Sequence, residues 1–539
     1  MKKLERSLSL SAVVAIGIGG MLGGIFVLPG IAAAKTGASV WLAYLLAALC
    51  VFPATLSKAE LATAMPTSGG TYVYIERAFG PLFGTISGIG LWIALLLKSA
   101  FALVGFGAYF LILVSFPLKP TALVFLFLVM ILNILGAKKA GKVQTVIVAL
   151  SVIGLGVLML WGLPQVDSSN LEPFLSDGSS GLLAATAFLF VSYAGVTKIA
   201  AIAEEIKNPN RNLPIAIMLA LGGATVIYVG ISFVLVGNLP IEPLKTDITP
   251  LHTLAEHLGG YTFGIAVAII GVGSLFSMVN AGILAAPRFL FAMSRDKLLP
   301  PALSKVHPKY LTPVFTIVFT CVIIGAVIIF LDVEKIAKLA SAFKVAMFMA
   351  VHACVIVLRE TGVQWYDPPY RSPLYPFTQI FGILSGLGLL IVLGLTPAVI
   401  LITMFGLGAG IYWVYGRKAQ RSGVLSQYGQ RSAQYLLHNN NGSSSTGEIT
   451  IKAAPKNLDG ALSTTAKVVV PLFSKEKSPE ILVEMGAALL ESNKLQVVRL
   501  SEVPDQTMLD SMLDNAPVVQ SLERRISAMA DDHKLDVDF

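Results

Sequence analysis

Stretches of about twenty apolar residues, long enough to cross a bilayer, recur through the first three-quarters of this 539-residue chain. They fall near 10–33, 39–62, 82–115, 119–136, 142–163, 181–205, 213–236, 260–293, 312–331, 337–358, 374–394 and 396–416. Lipid satisfies no backbone N–H or C=O, so such segments must close their hydrogen bonds internally, as helices. With 55% hydrophobic and 13% charged residues, the chain has more apolar surface than a soluble fold can hide. An all-α integral membrane protein of about 12 transmembrane helices is expected. The first run follows Lys2, Lys3 and Arg6 but has no small-residue cleavage site leading into a soluble domain, so it reads as a retained span.

Loop charge orients the spans. Lys2, Lys3 and Arg6 share one face with the basic loops 138–142, 207–211, 295–309 and 417–421. The opposite loops, such as 167–177 and 332–334, are acidic or poor in Lys and Arg. This asymmetry predicts a multi-pass protein of the cell (plasma) membrane with N- and C-termini cytoplasmic. The net charge of +8 is spread over these loops and so reports topology; no nucleic acid partner is implied. Cys50, Cys321 and Cys354 fall in apolar segments and imply no disulfide framework.

Two spans carry small residues at mid-membrane. The first holds Gly17-Ile18-Gly19-Gly20-Met21-Leu22-Gly23-Gly24, and the sixth holds Ser192-Tyr193-Ala194-Gly195-Val196-Thr197. Five spans separate them, so the second is inverted relative to the first. Glycine-rich helices can pack closely without binding anything. Two interruptions in register point instead to a transporter's central site, because loosened backbone is tolerated only where it lines a cavity or ligand.

Charge inside the membrane adds a second constraint. Lys98 lies deep in the third span, and Lys198 stands just past the small residues of the sixth. A mid-membrane lysine costs about 2.5–3.5 kcal/mol on insertion scales. Glu60, Glu76, Glu204 and Glu205 sit near cytoplasmic ends, so no mid-membrane carboxylate pairs with either lysine. Each must lose its proton, as a proton carrier does, or meet water, a carbonyl or an anionic substrate. The bland alternative for Lys198 is a plain helix with a snorkelling side chain. Lys344, in the tenth span, reads as structural. Glu204 and Glu205 with Lys207, Arg211, Arg288 and Arg295 read as cytoplasmic ion pairs. The six histidines form no ligand-spaced pair on one helix face except His252 and His257, which fall in a predicted extracellular loop, and neither an enzyme nor a cofactor is expected.

Four motifs then carry a resemblance. They are Gly23-Gly24-Ile25-Phe26-Val27-Leu28-Pro29-Gly30, Pro66-Thr67-Ser68-Gly69-Gly70-Thr71-Tyr72, Ala203-Glu204-Glu205-Ile206-Lys207-Asn208-Pro209, and Pro287-Arg288 with Ala292-Met293-Ser294-Arg295-Asp296. In this order they resemble the amino acid–polyamine–organocation (APC) permeases over about residues 8–420. The resemblance implies a LeuT-type 5+5 inverted repeat with helices 1 and 6 broken. It implies alternating-access transport of an amino acid or amine, with a proton or sodium as coupling ion. A transmembrane domain at 1–417 would hold repeat one at 8–163, repeat two at 181–358 and two further helices at 374–416. Backbone amides around Gly23 and Gly24 would hold a substrate carboxylate. Carbonyls near Gly20, Met21, Val191 and Ala194 would take its ammonium, beside Gly195 and Lys198. Lys198, Lys98 and Ser151 are the coupling or ion-site candidates. Ser151 stands where some proton-coupled members carry a lysine, and is either a sodium ligand or a serine bonded back to its own helix. The adjacency of Gly23 and Gly24 departs from the usual pattern, which places a small residue between two glycines.

After Tyr415 the composition turns polar. A flexible linker is expected over 418–463 and a partial α/β tail over 464–539. Strands near 467–472 and 495–500, with helices near 478–492 and 518–530, weakly resemble the universal stress protein fold. The glycine-rich phosphate loop of that fold is absent from this sequence. The tail reads either as a truncated regulatory or dimerising half-domain or as partly disordered, and the whole as a monomer or homodimer. Two rivals stand beside a transporter: a transporter-derived sensor that signals through the tail, and a channel.

Overall fold

The computed structural model describes residues 8–65, 70–114, 116–135, 140–201, 203, 206–308, 310, 312–363, 365–418, 423–427, 468–473, 479–488, 494–500, 524–527 and 536–538. The side chains of 140–144, 197, 198 and 201 lie outside that description. Two compact units result, Met1–Glu360 with Pro368–Ser426, and Thr361–Asp367 with Gln427–Phe539.

In the first unit, α1 (Leu10–Leu22) and α2 (Leu28–Thr36) are halves of one broken span. Ser9 opens α1 by accepting the Ala12 N–H at 3.4 Å. The halves are joined by a 3-10 turn over Gly23–Phe26 and by Val27, whose φ/ψ of −125°/−41° is not helical. Pro29 then restarts the helix in its first turn, where a missing N–H costs nothing. There follow α3 (Val40–Ala64), the short α4 (Thr71–Phe79), α5 (Pro81–Leu113), α6 (Leu118–Leu135) and α7 (Ala140–Gly162). The sixth span repeats the broken design: α8 (Gly178–Leu189), a 3-10 segment over Phe190–Gly195, then α9 (Val196–Ala201). The unit continues with α10 (Pro209–Asn238), α11 (Ile241–Leu244), α12 (Pro250–Arg295), α13 (Val314–Phe330), α14 (Val333–Glu360), α15 (Phe377–Leu393) and α16 (Leu395–Val414). Gly260, at φ 74°, bends α12 in a way that L side chains rarely adopt, so only the part after it can run as a straight span.

Among the described residues, nine helical stretches are long and apolar enough to cross a bilayer, and three shorter apolar helices accompany them. With α1 and α2 taken as one crossing, the spans number twelve, as expected. The centre and the rim are distinguishable by burial. The most apolar window of α5 is 94% buried, whereas that of α16 is 17% buried. Leu160, Phe330 and Leu395 point outward with more than two-thirds of their surface open, as lipid-facing side chains should. The isolated pairing of Leu8 with Ile206, and the Lys207 N–H donated to the Leu8 carbonyl at 3.0 Å, ties the start of the first span to the end of the sixth.

The breaks fall a few residues from the expected centres. Gly17 and Gly19 stay helical and serve close packing: a Cβ on Gly17 would lie 2.5 Å from Ile199 Cδ1, and one on Gly19 2.3 Å from Val148 Cγ2. The first break therefore begins only at Gly23. The second starts at Phe190 and ends at Gly195, so Val196 already belongs to the resumed helix.

In the second unit, β1 (Val468–Phe473) and β2 (Lys494–Leu500) pair in parallel, with Val470 opposite Val497. The helix α17 (Pro479–Ala488) connects them. A third strand, β3 (Asp536–Asp538), pairs in parallel with β2, giving the order β1-β2-β3. Three residues with one apolar side chain give no sequence signal, which is why β3 was not expected. Of the helix expected near 518–530, only 524–527 is described, and it is helical. The linker lies almost entirely outside the described residues.

Candidate functional site

The two breaks meet through main chain. A Cβ on Gly195 would lie 2.6 Å from the Gly20 carbonyl carbon, 2.8 Å from its oxygen and 2.5 Å from Met21 Cγ. Only glycine lets the second break approach the end of α1 so closely. Gly24 faces Ser192: a Cβ there would stand 3.3 Å from the serine Oγ and 3.6 Å from its Cα. Gly23 seats the Met278 side chain of α12, with Sδ 2.6 Å from a hypothetical Cβ. Val191 and Ala194 are buried in the same segment. The structure thus brings Gly20, Met21, Gly24, Ser192 and Gly195 together, with Gly23 turned toward α12.

Each break is finished by a side chain from another helix. At the first, Lys98 of α5, only 5% exposed, donates through Nζ to the Gly20 carbonyl at 2.9 Å. The C-terminal end of α1 carries the negative end of the helix dipole, so a cation suits it. At the second, Ser341 of α14 donates to the Phe188 carbonyl at 2.8 Å and accepts the Val191 N–H at 3.2 Å. One hydroxyl thereby satisfies both a donor and an acceptor freed by the break. Ser151 turns its hydroxyl back to the Ile147 carbonyl at 2.8 Å. Lys198 stands in α9, and its side chain lies outside the described residues, as do Glu204 and Glu205. Among the described side chains, Lys98 is the lysine placed at the break.

Polar groups that the sequence reading passed over also converge here. The Tyr44, Tyr193 and Tyr228 rings form a cluster with centroids 5.0 and 5.1 Å apart. Tyr193 donates to the Tyr44 carbonyl at 3.0 Å and Tyr228 to the Ser192 carbonyl at 3.3 Å. The buried Tyr44 and Ser192 hydroxyls lie close enough to interact with each other. Ser277 Oγ of α12 is buried with no hydrogen-bond partner among the described residues. Buried polar atoms without partners are uncommon. Tyrosines set within apolar spans were the available signal.

Ion pairs tie α14 at both ends. Glu334 meets Lys35 of α2 at 2.5 Å and Lys338 at 2.9 Å. At the far end, Arg359 grips Glu60 of α3 with two bonds of 2.7 and 2.6 Å, a bidentate geometry. Tyr72 of α4 donates to Asp296 at 3.0 Å. Burial, with the charges of Glu76 and Asp296, pushes the Tyr72 hydroxyl well above the usual phenol range, so it remains a donor. A shallow apolar groove of about 440 Å3 at the start of α10, lined by Arg211, Pro214, Met218 and Tyr370 among others, contains none of the break residues. Among the described residues no group of His, Cys, Asp and Glu is arranged to hold a metal ion.

Comparison with known proteins agrees with this geometry. A family described as "Amino acid permease" matches residues 8–412. The chain is 29% identical to the branched-chain amino acid permease BcaP of Bacillus subtilis, over 77% of this chain and 94% of that protein. It is 28% identical to the methylthioribose transporter of the same organism, over 77% and 95%. It is 29% identical to that organism's serine/threonine exchanger SteT, over 70% and 89%.

Proposed function

The chain belongs to the amino acid permease family and is a membrane transporter, and from that premise we propose that it carries neutral amino acids across the cell membrane by alternating access, driven by protons. The observation that carries this reading is the contact of two broken helices through bare backbone. N–H groups at Gly23 and Gly24 would receive the substrate carboxylate, as helix ends receive anions. The carbonyls of Met21, Val191 and Ala194 would receive its ammonium. Gly20 was expected to share that task; its oxygen accepts from Lys98, as that of Met21 accepts from the Gly23 N–H and that of Ala194 from the Val196 N–H, each keeping a second lone pair.

Charge selects the substrate class. Lys98 places its Nζ on the Gly20 carbonyl at the first break. A second positive charge on the substrate side chain would be repelled, whereas a neutral side chain would not. The neighbouring hydroxyls of Tyr44 and Ser192 would turn to a bound solute. Lys98 also argues for protons over sodium, because its ammonium already holds a carbonyl that a metal ion would use. Repeats at 8–163 and 181–358 would rock against each other, with both termini cytoplasmic.

Counterflow of labelled leucine or serine in liposomes holding the purified full-length protein tests the proposal. Exchange is expected, with excess unlabelled leucine or serine competing and lysine not. Absence of exchange for every amino acid, or best competition by lysine, would overturn it.

A further inference from the structure

Helix α10 is longer than a bilayer needs. Its 30 residues rise about 45 Å at roughly 1.5 Å each, against a hydrocarbon core of about 30 Å. The surplus places its ends in the headgroup layers, and Arg211, the third residue, stands exposed at one of them. Ile215, Leu219, Gly222 and Val226 follow at steps of four, four, three and four, which keeps them on one helix face with Arg211. That face looks outward. Leu219 is 53% and Val226 64% exposed, and a Cβ added to Gly222 would meet nothing within 4 Å. A lipid-facing stripe thus ends at a guanidinium.

The shallow groove of about 440 Å3 lies at that junction. Arg211, Pro214, Ile215, Met218 and Leu219 line it from α10, and Tyr370 lines it from the connection between α14 and α15. Pro214 has no N–H and cannot bond the Asn210 carbonyl, so the helix ladder is open beside the groove. Burial and the charge of Glu60 push the Tyr370 hydroxyl above the usual phenol range, so it remains a donor. The positive end of the α10 dipole points the same way as the guanidinium. An apolar floor therefore carries donors at its headgroup end.

This combination discriminates among occupants. Inorganic phosphate would use Arg211 and leave the apolar floor bare. A zwitterionic lipid would use the floor but bring its own ammonium to the guanidinium, which repels it. A phospholipid of net negative charge uses both, because Arg meets phosphate oxygens with paired N–H donors.

We propose that the groove binds one anionic phospholipid, with its phosphodiester on Arg211 and Tyr370 and one acyl chain along Met218, Leu219 and Val226. The site needs only the placement in a membrane and goes beyond the transport reading. Its two walls belong to segments already tied down. The Lys207 N–H, just before α10, is donated to the Leu8 carbonyl at 3.0 Å. Ser372, two residues past Tyr370, donates its N–H to Glu60 of α3 at 2.8 Å and its hydroxyl at 2.6 Å. A lipid reaching from Arg211 to Tyr370 staples these segments together, and so stabilises the fold as any ligand of the native state does.

The test titrates the purified full-length protein in detergent with dioleoyl phosphatidylglycerol or dioleoyl phosphatidylcholine. Retained lipid is counted by native mass spectrometry, and the melting temperature is followed in parallel. One phosphatidylglycerol is expected to bind about tenfold tighter than phosphatidylcholine and to raise the melting temperature. Arg211→Gln should weaken phosphatidylglycerol about tenfold and leave phosphatidylcholine unchanged. Leu219→Trp, which fills the floor, should weaken both lipids. Both positions are exposed, and either variant decides if the other fails to fold. Lys305→Gln removes an exposed cation outside the groove and should change nothing. Equal affinity for the two lipids, unaltered binding by Arg211→Gln or Leu219→Trp, or an equal loss in Lys305→Gln overturns the proposal. Displacement of the lipid by millimolar inorganic phosphate overturns it too, since the acyl chain then plays no part. Transport enters none of these measurements, so a failure of leucine counterflow sinks the transport reading and not this site.

Discussion

At the first break the loose end of α1 is held by an ammonium, Lys98 Nζ on the Gly20 carbonyl; at the second, the loose end of α8 is held by a hydroxyl, Ser341 on Phe188 and Val191. Charge-assisted bonds are roughly twice as strong as neutral ones. The first break is therefore held more tightly than the second. The difference teaches that two interruptions of the same design can be closed with unequal strength.

The largest effect should come from the point where the halves touch. Gly195→Ala puts a methyl against the Gly20 carbonyl, which cannot swing aside as a side chain can. Overpacking of this kind costs about 1–3 kcal/mol or more, and leucine counterflow should fall roughly hundredfold at the upper end. Gly23→Ala meets the flexible Met278 side chain, and its loss should stay below about tenfold. Equal losses would mean that backbone contact is not what holds the halves together.

Next in size, Lys98→Met strips a buried carbonyl of its charged partner and should cost about 1.5–3 kcal/mol, read as a lower melting temperature in detergent. Lys98→Arg should not restore transport, since a planar fork does not replace a point charge. Ser341→Ala removes a neutral bridge and should cost about 1 kcal/mol. A Ser341→Ala penalty as large as that of Lys98→Met would erase the contrast between the breaks. The smallest effect is expected at the edge of α14. Lys35→Ala breaks a partly exposed pair with Glu334 and should cost less than about 1 kcal/mol, a loss that shrinks further in high salt.

How far the sequence could be read follows from what each feature needs. Apolar length alone located the spans, and runs of small residues in the first and sixth spans located both breaks to within a few residues. The glycine run could not be divided between packing and unwinding, because that depends on Ile199 and Val148, brought up from distant helices. Lys98 and Lys198 were equally conspicuous as charges in apolar sequence, and only the fold places Lys98 on Gly20. The contacts of Lys344 and Lys58 with the Phe348 ring, and of His352 with Ser57 and Gly382, arise only when distant helices pack together and so leave no trace in the sequence. Strand β3 was illegible for want of any pattern in three residues.

Main chain meeting main chain at Gly195 and Gly20 has one further consequence. Carbonyls and amides are the one part of a protein that point mutation cannot delete. A grip made from them survives drift in the surrounding side chains, which remain at liberty to reshape the space around the cargo's variable end. On the proposed reading, such a scaffold would change its clientele through a handful of substitutions while its hold on the invariant end of the solute persisted.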